Sequence, residues 1–227
     1  MFRVKCVSAM EKVFPSREPS GEGVPELYTA LNGENISFQI ACFWDGYSRE
    51  WGKVEVKSAQ GISVRVRAVQ LVPCAYPCHR QADSDYLTTE PGLYPDRLEE
   101  IRSQGFPMIP GQWRGLWVDI QAEESVKAGI YPIEISAGIE GCMQCVKTQV
   151  EILGAELPEL DIPHTEWFHC DCLANYYGVE VFSEEHWRIV ENFIRTAVRR
   201  GCNMILTPIF TPPLDTAQGG GRVPVRI

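Results

Sequence analysis

Between positions 169 and 177 the chain places His169, Asp171, Asn175, Tyr176 and Tyr177, an imidazole, a carboxylate, an amide and two phenols in one short stretch. Thr207, Thr211 and Asp215 follow further along. Hydrogen-bonding groups beside flat aromatic rings match a sugar, which has polar edges and an apolar ring face, better than they match a phosphate or a lipid. His169, Asp171, Tyr176 and Thr211 are the candidate substrate-binding residues. The competing reading of each is a solvated loop position, with the tyrosines packed on the scaffold.

The elements that would position these groups form a strand-helix-strand unit. His164 to His169 is short, extended and aromatic-rich. Ser183 can cap a helix with its hydroxyl, Glu184 and Glu185 complement the positive first turn, and Trp187, Val190, Phe193, Ile194 and Ala197 recur at helical spacing. Arg199, Arg200 and Gly201 supply stop signals, and Asn203 to Thr207 reads as a buried strand ended by Pro208. Such a βαβ unit predicts two parallel strands with a right-handed crossover. The spacing predicts a loop from Cys170 to Phe182, well beyond the usual 2 to 6 residues or so. Ligands of parallel α/β folds bind at the carboxyl ends of the strands, where this loop lies.

Residues 1–153 read as an antiparallel β-sandwich. Glu26 to Leu31, the turn signal Asn32-Gly33 and the alternating run Glu34 to Cys42 predict a hairpin with one buried face. Lys53 to Lys57 and Ile62 to Val69 alternate again, the latter with Arg65 and Arg67 outward, and Gly115 to Ile120, Ile130 to Ser136 and Cys145 to Leu153 give three more strands. Pro132 must sit on an edge or where no ladder bond is needed. A stiff irregular excursion with His79, Asp83, Asp85 and Tyr86 separates Pro73 from Gln112. Trp44, Tyr47, Trp51, Trp113 and Trp117 fit core packing better than a sugar platform. Residues 154–163, bracketed by prolines, form the linker, and 164–227 the second domain. Gly219-Gly220-Gly221 lacks the Lys-Ser/Thr pair of a phosphate loop.

Composition narrows the classes. With 44% hydrophobic and 22% charged residues over 227 positions, the chain can bury a core without staples. A formal charge of -9 and the lack of basic runs argue against nucleic acid and anionic membrane surfaces. No apolar run approaches the roughly 20 residues of a spanning helix, and the start lacks an export-type apolar region. Nine cysteines in such a chain predict thiols in a reducing cytoplasm. Cys142 and Cys145 have C-x-x-C spacing, but Cys74, Cys78 and His79 are a poor second half for zinc, so no metal or cofactor is expected.

Several of these stretches resemble one family. Asn32-Gly33-Glu34 before Ser37-Phe38-Gln39, Pro91 to Asp96, Gly111 to Arg114 with Leu116-Trp117-Val118, and Ala128 to Tyr131 look like the amino-terminal sandwich of glycoside hydrolase family 123 and its uncharacterised relatives. His164 to Tyr177, Phe182 to Trp187 and Asn203 to Thr216 look like the opening of that family's (β/α)8 catalytic barrel. The resemblance implies β-N-acetylgalactosaminidase activity by a retaining, substrate-assisted mechanism. There the 2-acetamido oxygen attacks the anomeric carbon, an aspartate polarises that group, and the adjacent glutamate serves as acid and then base, outside the usual two-carboxylate scheme.

No Asp-Glu dipeptide occurs in these residues, and Glu99-Glu100, Glu123-Glu124 and Glu184-Glu185 are not at barrel strand exits. A (β/α)8 barrel needs about 250 residues. The expectation is therefore a β-sandwich followed by the first βαβ unit of a truncated (β/α)8 TIM barrel. The chain by itself is expected to be a catalytically silent fragment, with no catalytic residue of its own. The alternative class is a non-catalytic carbohydrate-binding or scaffolding sandwich protein.

Overall fold

The computed structural model describes residues 1–22, 25–75, 84–123, 125–158 and 162–206. The chain separates into two compact units, Met1–Leu157 and Pro158–Ile227.

The first unit is a β-sandwich. Its early strands are β1 (Phe2–Ser8), β2 (Leu27–Asn32), β3 (Asn35–Trp44), β4 (Glu50–Ser58) and β5 (Ile62–Cys74). After them come β6 (Gly92–Glu100), β7 (Phe106–Met108), β8 (Gln112–Ala122), β9 (Gly129–Ile139) and β10 (Cys142–Glu156). One five-stranded sheet has the order β1-β3-β8-β5-β6 and the other β2-β10-β9-β4-β7. Alternation creates the layer between them: Phe38 and Ile40 on β3 with Leu116, Val118 and Ile120 on β8 are buried in one core cluster with Ile133, Ile135, Val150 and Ile152 from the other sheet. Each fully buried side chain of this kind stabilises the fold by about 1.5–3 kcal/mol before entropy is counted.

Three expectations for this unit need correction. Asn32-Gly33 does make a tight turn, with Gly33 at φ 83° and Glu34 N donating to Leu31 O at 3.1 Å. It joins the two sheets rather than closing a hairpin: β2 pairs in parallel with β10, and β3 pairs with β1 and β8. The sandwich is thus not purely antiparallel. A turn residue fixes local chain reversal, but the strand that β2 pairs with lies more than a hundred positions away.

Both faces of β3, not one, are also covered. Gln39 sends its amide to Ser8 O at 3.0 Å and Glu11 O at 2.7 Å, and Ala41 packs with Val7, Val13 and Trp113. The segment after β1 lies across the outer side of that sheet, which periodicity within β3 has no means of signalling.

The excursion after Pro73 contains β6, paired with β5, and β7, paired with β4. Its prolines concealed them, yet Pro95 lies on an edge strand, where a missing donor is tolerated. Residues 76–83, with His79 and Asp83, lie outside the described residues. Pro132 sits in the interior strand β9, opposite Gln149 of β10, one position before the ladder to β4 begins at Ile133. One flank is therefore unpaired at Pro132, and that is how the strand tolerates it. Of the tryptophan-rich set, Trp113 is buried and Trp44 packs against the main core, while Trp51 and Tyr47 are exposed.

The second unit contains β11 (Thr165–Trp167), α1 (Asp171–Tyr177), α2 (Glu184–Arg199) and β12 (Met204–Leu206). β11 and β12 are parallel, with Trp167 opposite Leu206. The described residues include no helix long and apolar enough to cross a membrane.

Candidate functional site

The amino ends of β11 and β12 are stitched together. His164 N donates to Asn203 Oδ1 at 2.7 Å, Asn203 N and Met204 N donate to His164 O, and the His164 ring reaches Gly201 O and Glu166 Oε1 at 3.2 and 3.1 Å. This end is spent on holding the strands in register. At the carboxyl end the ladder closes with Phe168 N donating to Leu206 O at 2.8 Å, and the chain then leaves through His169.

Where a loop was expected from Cys170 to Phe182, the structure has the short helix α1. It has no side-chain cap at its start, and Gly178 ends it in the left-handed conformation with its N–H on Ala174 O. The polar residues of this stretch hid the helix. Its stability comes from tertiary contacts: Ala174 is buried, and the Tyr177 ring meets Phe193 of α2 at 6.5 Å, itself stacked on Phe168 at 6.3 Å.

α2 starts as its sequence dictates. Ser183 Oγ accepts from His186 N, and Phe182 stacks on Trp187 at 5.4 Å as a hydrophobic staple. Phe182 takes a positive φ of 62° to make this entry. His186 is fully buried; its Nδ1 accepts from Phe182 N at 2.9 Å, so Nε2 carries the proton given to Cys170 O at 2.8 Å. This histidine, which the sequence reading passed over as part of a helix start, ties the approach to α1 to the first turn of α2.

His169 lies at the exit of β11, half-buried, and its Nδ1 is buried without a hydrogen-bond partner among the described residues. Its ring is 6.2 Å from that of Trp167. Asp171 is the first residue of α1. Tyr176 is 78% exposed and touches Tyr177 edge-on at 5.0 Å. Of the two tyrosines, Tyr177 does the packing and Tyr176 stays open. Thr211, with Thr207, Asp215 and the glycine run, lies outside the described residues.

Trp167 was missing from the candidate set. In a parallel pair, residues in register share a face, so Trp167 stands with Leu206, and Thr165 with Met204, on one side. Phe168, on the other side, packs on α2. The first side is open: Trp167 is 69% exposed, and Met204 and Leu206 are about half exposed. Alternation puts Trp167 and Phe168 on opposite faces, but a three-residue strand does not reveal which face is covered.

Among the described residues no group of three or more His, Cys, Asp or Glu could hold a metal ion. Cys142 and Cys145 both lie on β10, three positions apart, so their thiols project from opposite faces. None of the eight described cysteines is in a disulfide, and burial pushes the Cys42 and Cys6 thiols above their ordinary values.

Residues 167–226 match the family model described as Glycoside hydrolase 123, catalytic domain. A family 123 glycoside hydrolase from Clostridium perfringens, whose structure was solved to detail glycolipid glycan hydrolysis, aligns over 90% of this chain with a TM-score of 0.71 at 12% sequence identity. The chain spans 37% of that protein's length. The resemblance to family 123 read from the motifs is thus supported by the second unit's sequence and by the shared fold. Two other solved structures are AvmM, which catalyses macrocyclization in alchivemycin A biosynthesis, and domains 4 and 5 of the S-layer protein SbsC. They are 12% and 16% identical, cover 71% and 63% of this chain and 92% and 54% of their own, and have TM-scores of 0.34 and 0.29, too low to carry an argument. No curated protein matches the sequence.

Proposed function

From this likeness we propose that the chain is the sandwich and the opening βαβ unit of a (β/α)8 glycoside hydrolase related to family 123. The whole protein would hydrolyse β-linked N-acetylhexosaminides, N-acetylgalactosaminides foremost, by the substrate-assisted retaining route. The observation that carries the reading is the parallel pair β11 and β12, covered by α2 on one side and open on the other at Trp167, Met204 and Leu206. A barrel strand has helix on its outer side and the packed barrel interior on its inner side, and further strands would cover this apolar face.

In this proposal His169, Asp171, Tyr176 and Thr211 contact substrate hydroxyls. His169 supports its part with a ring nitrogen that no described residue engages, and Tyr176 with an open phenol ring. The chemistry itself needs an adjacent aspartate and glutamate that these 227 residues do not contain. The many thiols fit a reducing compartment.

The test is an assay of the 227-residue chain with a chromogenic β-N-acetylgalactosaminide, beside a barrel-complete protein carrying the same sequence. The short chain is expected to release no chromophore. The complete one should release it with retention at the anomeric carbon, and His169→Ala should raise its KM. Hydrolysis by the 227-residue chain alone, or inversion by the complete protein, would overturn the reading.

A further inference from the structure

The sequence has 30 acidic residues against 21 lysines and arginines, so a partly buried cation with no acidic partner stands out. Arg114 on β8 is such a cation. Its Nε is buried without a hydrogen-bond partner, and it makes no ion pair with any described residue. Arg49, another cation, acts on it electrostatically and stacks over Trp51 at 4.6 Å. Burial, and then Arg49, lower the Arg114 pKa from its ordinary value, so both act against the charge rather than for it. A buried polar group left unmatched costs stability, and a guanidinium can recover that cost from a planar anion held by two parallel hydrogen bonds.

Arg114 lines a groove of about 600 Å³ within the sandwich unit, together with Arg17, Gln112, Thr88 and Tyr94. The walls are built. Trp113 N donates to Pro15 O at 2.9 Å, the Tyr94 hydroxyl donates to Glu90 O, Phe14 meets Tyr94 edge-on at 6.1 Å, and Arg17 lies over Phe14 at 4.7 Å. Leu93, on the same groove, is exposed. Two guanidiniums, an amide and a hydroxyl thus share a concave surface with aromatic and aliphatic side chains, in the size range of small-molecule sites. Glu90 also lines it, forming no ion pair with either arginine among the described residues.

We propose that this groove binds an acidic sugar, with Arg114 gripping its carboxylate or sulfate and the ring lying against Tyr94 and Leu93. The anion half stands on the geometry of Arg114; the sugar half rests on the carbohydrate reading above. The groove is built from residues of the sandwich unit alone and would hold a charged part of a glycan.

Isothermal titration of the full 227-residue protein with glucuronic acid, galactose 6-sulfate, galactose and sodium sulfate, at matched ionic strength, tests it. Both acidic sugars should bind at least about tenfold more tightly than galactose and than sulfate. Arg114→Gln should lose about tenfold or more in that binding, Arg114→Lys less, and Glu90→Gln should bind as well or better. Thermal melts of the three variants establish that they are folded. Equal affinity for neutral and acidic sugars, or an Arg114→Gln protein that binds normally, would overturn the proposal. Sulfate binding as tightly as galactose 6-sulfate would overturn its sugar half. His169→Ala should leave this binding untouched; if it abolishes binding where Arg114→Gln does not, the acidic sugar belongs at β11 and the groove assignment fails, while the glycosidase reading survives.

Discussion

Asp119 shows how much one side chain can organise. Oδ1 accepts from Ser37 at 2.7 Å, Trp117 at 2.9 Å and Asn35 at 3.4 Å, while Oδ2 faces Arg67. Burial pushes its pKa up, but those hydrogen bonds and the Arg67 charge outweigh burial and hold it below the usual carboxylate range. With a depressed folded value, the stabilisation is fully present above the unfolded pKa of about 3.9 and is lost as pH falls through the folded one. Asp119→Ala should cost about 3–5 kcal/mol at neutral pH by stranding Arg67. In Asp119→Asn the loss of stability in urea titrations between about pH 4 and the folded pKa should be visibly shallower. A wild-type slope retained in Asp119→Asn would assign the acid sensitivity elsewhere. From the sequence, Arg65 and Arg67 both read as outward and alike. Outward was right for the side of the sheet, but Arg67 is only 13% exposed because its partner sits 52 positions away on a neighbouring strand.

At the scale of elements, the sequence was most legible where local chemistry decides the outcome. Ser183, Glu184 and Glu185 mark the start of α2, and the structure begins that helix at Glu184. It was least legible where partners are remote, as with β2 and β10, or where a short helix is held by tertiary contacts, as with α1. Two glycines separate local strain from close approach. Gly33 has φ 83° with open space around a would-be Cβ, whereas Gly105 has φ 99° and its Cβ would lie 2.1 Å from Gly52 O. Gly33→Ala should therefore cost only about 1 kcal/mol. Gly105→Ala must also push β7 away from β4, so it should cost about 3 kcal/mol or more. Equal losses in chemical denaturation would mean that β7 is not held against β4 as described.

At the scale of the molecule, the two units differ in how fully they bury apolar surface. The sandwich encloses a large cluster drawn from both sheets. The second unit leaves Trp167, Met204 and Leu206 uncovered on its sheet, and Trp187, Ile194 and Val198 partly so on α2. Exposed apolar patches of this kind mark surfaces that another element covers. The parallel pair could be foreseen from strand-helix-strand periodicity, but the identities of the open face could not, because β11 is too short for its alternation to declare itself. Hydroxyl-radical footprinting of the 227-residue chain tests the open face directly, with internal references in Trp113 at 4% exposure and Met108 at 0%. The account predicts that Trp167 and Met204 oxidise at rates near those of an unfolded peptide while Trp113 and Met108 stay protected. Protection of Trp167 and Met204 to the level of Trp113 and Met108 would mean a closed, self-contained second unit, and would contradict the proposal that it begins a barrel.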